Sequence, residues 1–396
     1  MKVTNRRDFL RKAATGSATA AALTATGLYP RRTFAQSKSG FERIAYRELG
    51  STGFKTSEVG FGAMNMDNAD LINAAIDSGI NYLDTAHVYM NGRNEEVVGQ
   101  VMKTRRKEVF LTTKVPHRNP KQMPEMMETS LKRLQTDHVD LMLLHVTNAR
   151  DQILNDDFMK MFDDARKKGI CRFIGVSTHA NQAEVLNAAV ESKFWEAVLV
   201  GYNYFSPPEV GQAIERARKA GLATIGMKNL LNPAVWPWEP LDDIRRDAEK
   251  ENGVSSSQAL IKWVLDNPYM DTTIPGVTSF EQLSENVAIM GMPMSFGERR
   301  SLYRFGEDIK KHYCRGVAGC TGCKDQCPHG VDICELNRCV NYAYGYGNVS
   351  LAWENYRQLP QTSRVDVCSN CDECVVKCVN GLNLPQKISQ AKELFG

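Results

Sequence analysis

Short apolar segments alternate with longer segments of helical periodicity between residues 60 and 276. Eight of the short segments have the length and apolar content of buried strands, and they cover residues 60–64, 81–85, 109–114, 139–145, 172–177, 197–203, 223–228 and 272–276. Helix signals separate them, since Asn68 opens a segment that ends at Gly79 and Ser206 precedes two prolines in a segment that ends at Gly221. Strands joined through helices run parallel, and eight of them favour a closed (β/α)8 barrel. Residues 44–49 and the stretch after Gly53 predict a hairpin across the barrel floor.

Polar residues end three successive predicted strands, namely Asp84, Lys114 and His145, and Tyr89 follows the first strand. Catalytic side chains of barrel enzymes lie at the carboxyl ends of strands. A free phenol holds its proton too tightly for an efficient acid, and a nearby ammonium lowers its pKa. We therefore expect Lys114, held by Asp84, to lower the pKa of Tyr89 while His145 orients a substrate carbonyl. Asn94 is expected to cap the next helix. The alternative, four strand-end caps and surface charges, leaves their common position unexplained.

The motifs around these residues resemble those of the aldo-keto reductases. The resemblance runs from about residue 42 to about residue 295, and it rests on residues 46–53, 84–86, 175–177 and 274–276 together with Tyr89, Lys114 and His145. It implies a (β/α)8 barrel, a nicotinamide cofactor that is NADP or NAD, and a catalytic tetrad. The members of that tetrad are Asp84, Tyr89, Lys114 and His145.

The same resemblance assigns residues to the cofactor. It implies that Ser177 touches the nicotinamide amide, and that the adenosine-phosphate half of the site is lined by Gly276, Thr278, Gln282 and Asn286. Ser279 and Gln282 form a capping-box pattern, so a helix beginning there would direct free N–H groups at a phosphate. The chain departs from the family pattern at Thr178, where an Asn is usual, and at Leu199, where a Gln is usual. With no arginine near this segment for a 2′-phosphate, the choice between NADP and NAD stays open.

Ten of the eleven cysteines lie after residue 313. Two runs share one spacing with an offset of 51 residues, and they are Cys320-x2-Cys323-x3-Cys327 and Cys371-x2-Cys374-x3-Cys378. Cys368 precedes the second run by the gap typical of bacterial ferredoxins, whereas the cysteine available before the first run is Cys314. Zinc and disulfides are the alternatives, and the triple run favours iron–sulfur.

A subset of aldo-keto reductases carries a C-terminal ferredoxin-like domain, and this chain resembles that subset. In two-cluster ferredoxins the fourth cysteine of each run serves the other cluster. The resemblance implies two 4Fe-4S clusters in a small, mainly helical domain, with ligands Cys314, Cys320, Cys323 and Cys378 for one cluster and Cys327, Cys368, Cys371 and Cys374 for the other. Cys334 and Cys339 fit neither run, and we expect them to form a local disulfide or to be buried thiols.

The N-terminal segment resembles a twin-arginine export signal. Arg6-Arg7 and Phe9-Leu10 precede a mildly apolar, alanine-rich run, and residues 33–35 offer a small-residue cleavage site. The resemblance implies recognition by the twin-arginine export machinery and a location that is periplasmic or otherwise outside the cytoplasm. The alternative is a basic disordered tail. The apolar run is too short and too broken by polar residues to predict a stable membrane span.

Composition adds little to this picture. Apolar residues make up 42% of the chain, as in globular proteins, and a net charge of +3 gives no reason to expect a nucleic-acid partner. We predict an export signal over residues 1–35, a barrel over 42–300 and an iron–sulfur domain over 310–390. The expected function is an exported oxidoreductase that interconverts a small-molecule carbonyl and an alcohol by nicotinamide hydride transfer, with the clusters relaying electrons to or from a partner protein. The alternative is an electron-transfer or binding protein on a barrel that no longer catalyses.

Overall fold

A computed structural model describes residues 5, 6, 8, 33–35, 44–117, 119–231, 254–310, 312–323, 325–371 and 373–396. Most of the predicted export signal therefore lies outside the described residues. Within that signal, the Arg6 guanidinium binds the carboxylate of Asp77, with Nη2 and Oδ2 2.5 Å apart.

A three-stranded antiparallel sheet lies at one end of the barrel, and it consists of β1 Thr33–Ala35, β2 Ile44–Glu48 and β3 Lys55–Ser57. Strands β2 and β3 are the predicted floor hairpin. The sheet lies at the amino-terminal end of the barrel strands, because Gly50 of the hairpin packs against the backbone of Ala223. Strand β1 was not predicted. It pairs with β2, so the residues read as a cleavage site form part of this sheet.

Eight parallel strands follow. Their bounds are β4 Phe61–Gly62, β5 Tyr82–Asp84, β6 Phe110–Pro116, β7 Val139–His145, β8 Cys171–Thr178, β9 Ala197–Gly201, β10 Ala223–Met227 and β11 Thr272–Thr273. Neighbouring strands pair in sequence order, and parallel bridges from Val59 to Thr273 and from Gly62 to Gly276 join the last strand to the first. The eight predicted strands and the closed α/β barrel are confirmed.

Thirteen α-helices occur in the described part of the chain. Their bounds are α1 Ala69–Asp77, α2 Arg93–Arg105, α3 Met123–Leu134, α4 Arg150–Ile153, α5 Asp156–Lys167, α6 Gln182–Ser192, α7 Pro208–Lys219, α8 Ser256–Leu265, α9 Phe280–Ala288, α10 Phe296–Ile309, α11 Ile333–Tyr344, α12 Val349–Gln358 and α13 Leu384–Phe395.

The helix caps agree with the sequence at two of three positions. Asn68 caps α1 by accepting from the backbone N–H of Asp70, and the Ser279 side chain accepts from the N–H of Gln282 at the start of α9. The Gln282 side chain accepts from the N–H of Thr278 instead of closing the predicted box. The prediction for Asn94 is wrong, because Gly92, at φ 92°, occupies the cap position of α2.

Apolar side chains fill the barrel interior, so the barrel can open a site only at its ends. The interior cluster includes Leu49, Tyr82, Phe110, Leu141, Leu143, Leu199, Ala223 and Ile225. Leu199, which replaces the family's usual Gln, is therefore a core residue. A larger apolar layer packs the outer helices against the strands.

The residues after 310 form a second unit that covers the carboxyl-end rim of the barrel. Helices α11, α12 and α13 share a core of their own. Hydrogen bonds tie this unit to the rim: Lys228 Nζ donates to Tyr342 Oη at 2.7 Å, and Gln182 Nε2 donates to the carbonyl of Val317 at 2.9 Å. The mainly helical character agrees with the sequence, while the ferredoxin-like fold stays a prediction.

Among the helices in the described ranges, none has both the length and the apolar character that crossing a bilayer requires.

Candidate active site

The four predicted catalytic residues come together at the rim that the second unit covers. Asp84 ends β5, His145 ends β7 and Lys114 lies near the end of β6. Tyr89 begins a short 3₁₀ turn, Tyr89–Gly92, between β5 and α2.

Lys114 is the centre of this group. Its ammonium donates to Asp84 Oδ1 at 2.5 Å, to the carbonyl of Thr85 at 2.7 Å and to Tyr89 Oη at 3.2 Å. The Lys114 side chain is 1% exposed and that of Asp84 is 3% exposed, so the ion pair is almost dry. The Tyr89 ring meets the His145 ring edge-on, with centroids 6.0 Å apart.

The expected lowering of the Tyr89 pKa is wrong for this structure. Burial raises the pKa of Tyr89 well above 10, and the Asp84 carboxylate adds to the increase. Lys114 cannot reverse this shift, because Asp84 neutralises its charge and burial lowers the pKa of Lys114 itself. The phenol is therefore protonated at neutral pH and can donate its proton. Once that proton has left, Lys114 is placed to donate a hydrogen bond to the phenolate oxygen.

Two buried histidines lie at this rim. Burial, followed by the charge of Lys114, lowers the pKa of His145 well below its ordinary value, so His145 is neutral. His179 lies beside it, with ring centroids 6.3 Å apart, and burial lowers its pKa as well. Nδ1 of each ring is buried without a hydrogen-bond partner. Buried polar atoms are normally paired, so these two point to a missing polar ligand. No motif in the sequence singles out His179.

Asn94 holds the rim loops in place although it caps no helix. Its side chain accepts from Thr85 Oγ1 at 2.6 Å and donates to the carbonyls of Ala63 and Met66. Thr85 also supplies the carbonyl that binds Lys114. Asn94 thereby links Lys114 to the loop after β4, and it positions that lysine indirectly.

Ser177 is fully buried. Its hydroxyl accepts from the N–H of Val146 at 3.0 Å. Val146 has φ 60°, a left-handed conformation that is strained for a β-branched residue. The structure thus ties Ser177 to the residue after His145.

The predicted adenosine-phosphate residues lie together beyond β11. Gly276, Thr278 and Gln282 are exposed, and Asn286 lies one turn further along α9 and is buried. A side chain at Gly276 would meet no atom within 4 Å. The open space beside Gly276 and the N–H groups at the start of α9 fit a phosphate-bearing cofactor.

Where the second unit meets the barrel rim, charged residues from both units come together, and the sequence did not indicate this contact. Tyr342 Oη accepts from Lys228 Nζ and, at 3.1 Å, from Arg338 Nη1. Burial raises the pKa of the Tyr342 phenol, but the two cations outweigh burial and leave that pKa below its ordinary value. The charge of Arg338 acts on Tyr89 and on both rim histidines. Lys228 follows β10. The sequence predicted that it ends a strand, but it did not predict the contact with Tyr342.

One predicted cysteine set lines a single cavity of about 280 Å³. Its thiols come from Cys327, Cys368, Cys371 and Cys374. Within the described residues, no three His, Cys, Asp or Glu side chains are arranged to hold a single metal ion. A four-iron cluster instead takes four cysteine ligands around a larger body, and these four thiols around one cavity fit that requirement.

The cysteines of the other predicted set make their contacts at two neighbouring points. Asn380 joins two members, because its amide donates to Cys320 Sγ at 3.3 Å and its backbone N–H donates to Cys378 Sγ at 3.4 Å. Cys323 Sγ lies 3.5 Å from Cys334 Sγ, and this contact lowers the pKa of Cys323 to about 7. All the cysteines are free thiols, so no disulfide joins Cys334 to Cys339.

Comparisons with known proteins agree with this geometry. The model of the aldo/keto reductase family matches residues 48–298. The oxidoreductase YqkF of Bacillus subtilis is 28% identical over 283 residues, which span 61% of this chain and 89% of that protein. Methylglyoxal reductase DkgB of Escherichia coli O157:H7 is 26% identical over 58% of this chain and 85% of that protein. A Klebsiella pneumoniae aldo-keto reductase in complex with NADPH superposes with a TM-score of 0.54 at 26% identity, over 64% of this chain and 93% of that one.

Proposed function

The chain belongs to the aldo/keto reductase family of oxidoreductases, and from that premise we propose that it interconverts a carbonyl and an alcohol on a small molecule with NADP(H). One observation carries the proposal: Lys114 Nζ contacts both Asp84 Oδ1 and Tyr89 Oη in a buried site. NADPH in the Klebsiella pneumoniae relative supports the choice of NADP. The nicotinamide supplies the hydride when it is bound.

The side chains divide the proton chemistry among them. Tyr89 gives its phenolic proton to the carbonyl oxygen as negative charge develops there. Lys114 then donates a hydrogen bond to the phenolate, and Asp84 keeps Lys114 in its ammonium form. His145 is neutral, so it can donate an imidazole N–H to the same carbonyl oxygen without competing for a proton.

We also propose that the second unit holds two 4Fe-4S clusters that relay electrons to or from a partner protein. Support comes from the ligand spacing and from the cavity lined by the four thiols of one predicted set. Val375 and Val379 are exposed beside Cys374 and Cys378. An exposed apolar pair next to the cysteines is a suitable contact for a partner. The twin-arginine pattern supports export of the folded, loaded protein to the periplasm.

The test of carbonyl reduction is Tyr89→Phe in the full-length protein, with NADPH consumption followed at 340 nm and methylglyoxal as the probe carbonyl. We expect turnover to fall by about 100- to 10,000-fold, the usual contribution of a general acid. Tyr46→Phe is the matched control, because the Tyr46 hydroxyl donates to the Gly79 carbonyl near the barrel floor, away from the tetrad. Retained turnover in Tyr89→Phe would refute the mechanism. Purified protein with iron, no bound nicotinamide and no turnover would favour electron transfer on a retired barrel.

A further inference from the structure

The second unit contains two more cysteines than two clusters require, and the structure separates their roles. Cys339 is fully buried in the apolar core of helices α11 to α13. Cys334 lies five residues earlier in α11, and its sulfur contacts Cys323 Sγ at 3.5 Å. The two thiols expected to behave alike therefore face different surroundings, one among apolar side chains and one among other thiols.

Cys334 lines the cavity into which the first run opens. That cavity has a volume of about 210 Å³, and Cys320, Cys323, Cys327 and Cys334 are among its lining residues. Neither Cys314 nor Cys378 lines it, but Asn380 holds Cys378 next to Cys320 at its edge. Cys314 instead lines a separate cavity of about 30 Å³ together with Lys228 and Tyr342. Cys334 borders both cavities and stands between Cys314 and the space that a cluster would fill.

Gly316 shows how closely the chain packs on this thiol. A Cβ at position 316 would lie 2.8 Å from Cys334 Cβ, 3.0 Å from Cys334 Sγ and 3.6 Å from Cys314 Sγ. These distances are too short for a side chain, so residue 316 must lack one. The glycine lets the backbone bring Cys314 against the outer side of the Cys334 sulfur.

We propose that Cys334, in place of Cys314, is the fourth ligand of the first cluster. The thiolates of that cluster are then Cys320, Cys323, Cys334 and Cys378. Cys320 and Cys378 are already joined through Asn380, and Cys323 is in contact with Cys334. Each thiol releases one proton to solvent as its sulfur bonds to iron. Cys314 keeps its proton and lies beside the Cys334 sulfur without binding iron. The inference rests on the proposed two-cluster function.

The test compares the wild type with Cys334→Ser, Cys314→Ser and Cys339→Ser, each purified anaerobically as the full chain. Iron and acid-labile sulfide per chain and the electron paramagnetic resonance spectrum of the reduced protein are measured. We expect about eight irons in the wild type, about four in Cys334→Ser and about eight in the other two variants. The four irons that remain in Cys334→Ser show that the second unit has folded, and Cys339→Ser controls for a thiol change in the same helix.

Two results would overturn the inference: about eight irons in Cys334→Ser, or about four in Cys314→Ser. Should Cys334→Ser lose all its iron, Cys314→Ser decides alone, because full iron there supports the new ligand and half the iron refutes it. A wild type without iron would remove the cluster proposal itself. Loss of clusters and failure of the reassigned ligand are therefore distinguishable results.

Discussion

Replacing Lys114 by Met tests the active site most directly, because it removes the charge that compensates Asp84. Lys114 donates three hydrogen bonds from a side chain that is 1% exposed. Removing one partner of a buried ion pair costs about 3–5 kcal/mol of unfolding free energy, since the other charge stays buried. Turnover should fall by about 100- to 10,000-fold, because the Tyr89 phenolate loses its hydrogen-bond donor.

A second substitution separates stability from chemistry. Asp84→Asn added to Lys114→Met replaces the stranded carboxylate by a neutral amide, whose unmet hydrogen bonds cost about 1–3 kcal/mol. The double variant should therefore be about 2 kcal/mol more stable than Lys114→Met, yet remain inactive. Differences in urea midpoint, followed by tryptophan fluorescence, measure the stability because only comparisons between variants are needed.

The pH dependence of Lys114→Met has a definite sign. Burial already raises the pKa of Asp84 in the wild type, and Lys114 opposes this increase. Without Lys114 the folded pKa rises further above the unfolded value. A raised folded pKa means that stability is present at low pH and is lost as the pH rises through the folded pKa. The destabilisation of Lys114→Met should thus be smaller at about pH 5 than at about pH 8.

A second buried pair provides the control. Lys262 Nζ and Glu298 Oε1 are 2.5 Å apart, and both side chains are 4% exposed. This pair joins α8 to α10, away from the tetrad. Lys262→Met should be destabilised to a similar extent while its turnover stays within about twofold of the wild type. Equal stability of Lys114→Met and the wild type, or no recovery on adding Asp84→Asn, would show that Lys114 does not compensate a buried Asp84 charge.

Three further predictions concern the pH dependence, the iron content and the export of the protein. Because burial raises the pKa of Tyr89 well above 10 and lowers that of His145 well below 6.5, neither group should give kcat for reduction an apparent pKa between about pH 6.5 and about pH 9.5. An acidic limb inside that window would contradict the assignment of His145, and a basic limb that persists in Lys114→Met would contradict that of Tyr89. Cys371→Ser should lower the iron content from about eight to about four per chain, whereas stoichiometric zinc without visible absorption would exclude clusters. Replacing Arg6-Arg7 by two lysines should leave the protein in the cytoplasm, because lysine lacks the planar guanidinium that the export receptor would recognise. Equal amounts of processed periplasmic protein from both forms would show that no receptor recognises the arginine pair.

The barrel and its tetrad were predictable because they depend on local sequence. Runs of apolar residues define parallel strands buried on both faces, and the polar residue that ends such a run must lie at the rim. The position of Asp84, Lys114 and His145 therefore followed from the pattern. The direction of the Tyr89 pKa did not, because it depends on how completely the phenol is buried and on how fully Asp84 neutralises the nearby ammonium.

The features that the sequence did not indicate depend on distant contacts. Tyr342 and Lys228 are 114 residues apart and meet only because the second unit packs on the barrel rim. Asn94 has the residue type of a helix cap, but a glycine two positions earlier takes that role and leaves its amide free to bind the loops. The contact of Cys334 with Cys323 likewise requires the turn between the first cysteine run and α11, which spacing alone does not specify.

Helix α11 joins the cysteines to the catalytic rim through one of its faces. Cys334, Arg338 and Tyr342 follow one another at intervals of four residues, so they lie along one side of the helix over about 12 Å. The contact of Cys334 with Cys323 holds one end of this side, and the hydrogen bond from Lys228 to Tyr342 holds the other. Because the helix is a rigid element between these two contacts, a shift at the thiols would move Arg338 and Tyr342 at the active-site rim. The packing of the cysteine-rich segment thus sets the shape of the ceiling over the catalytic group.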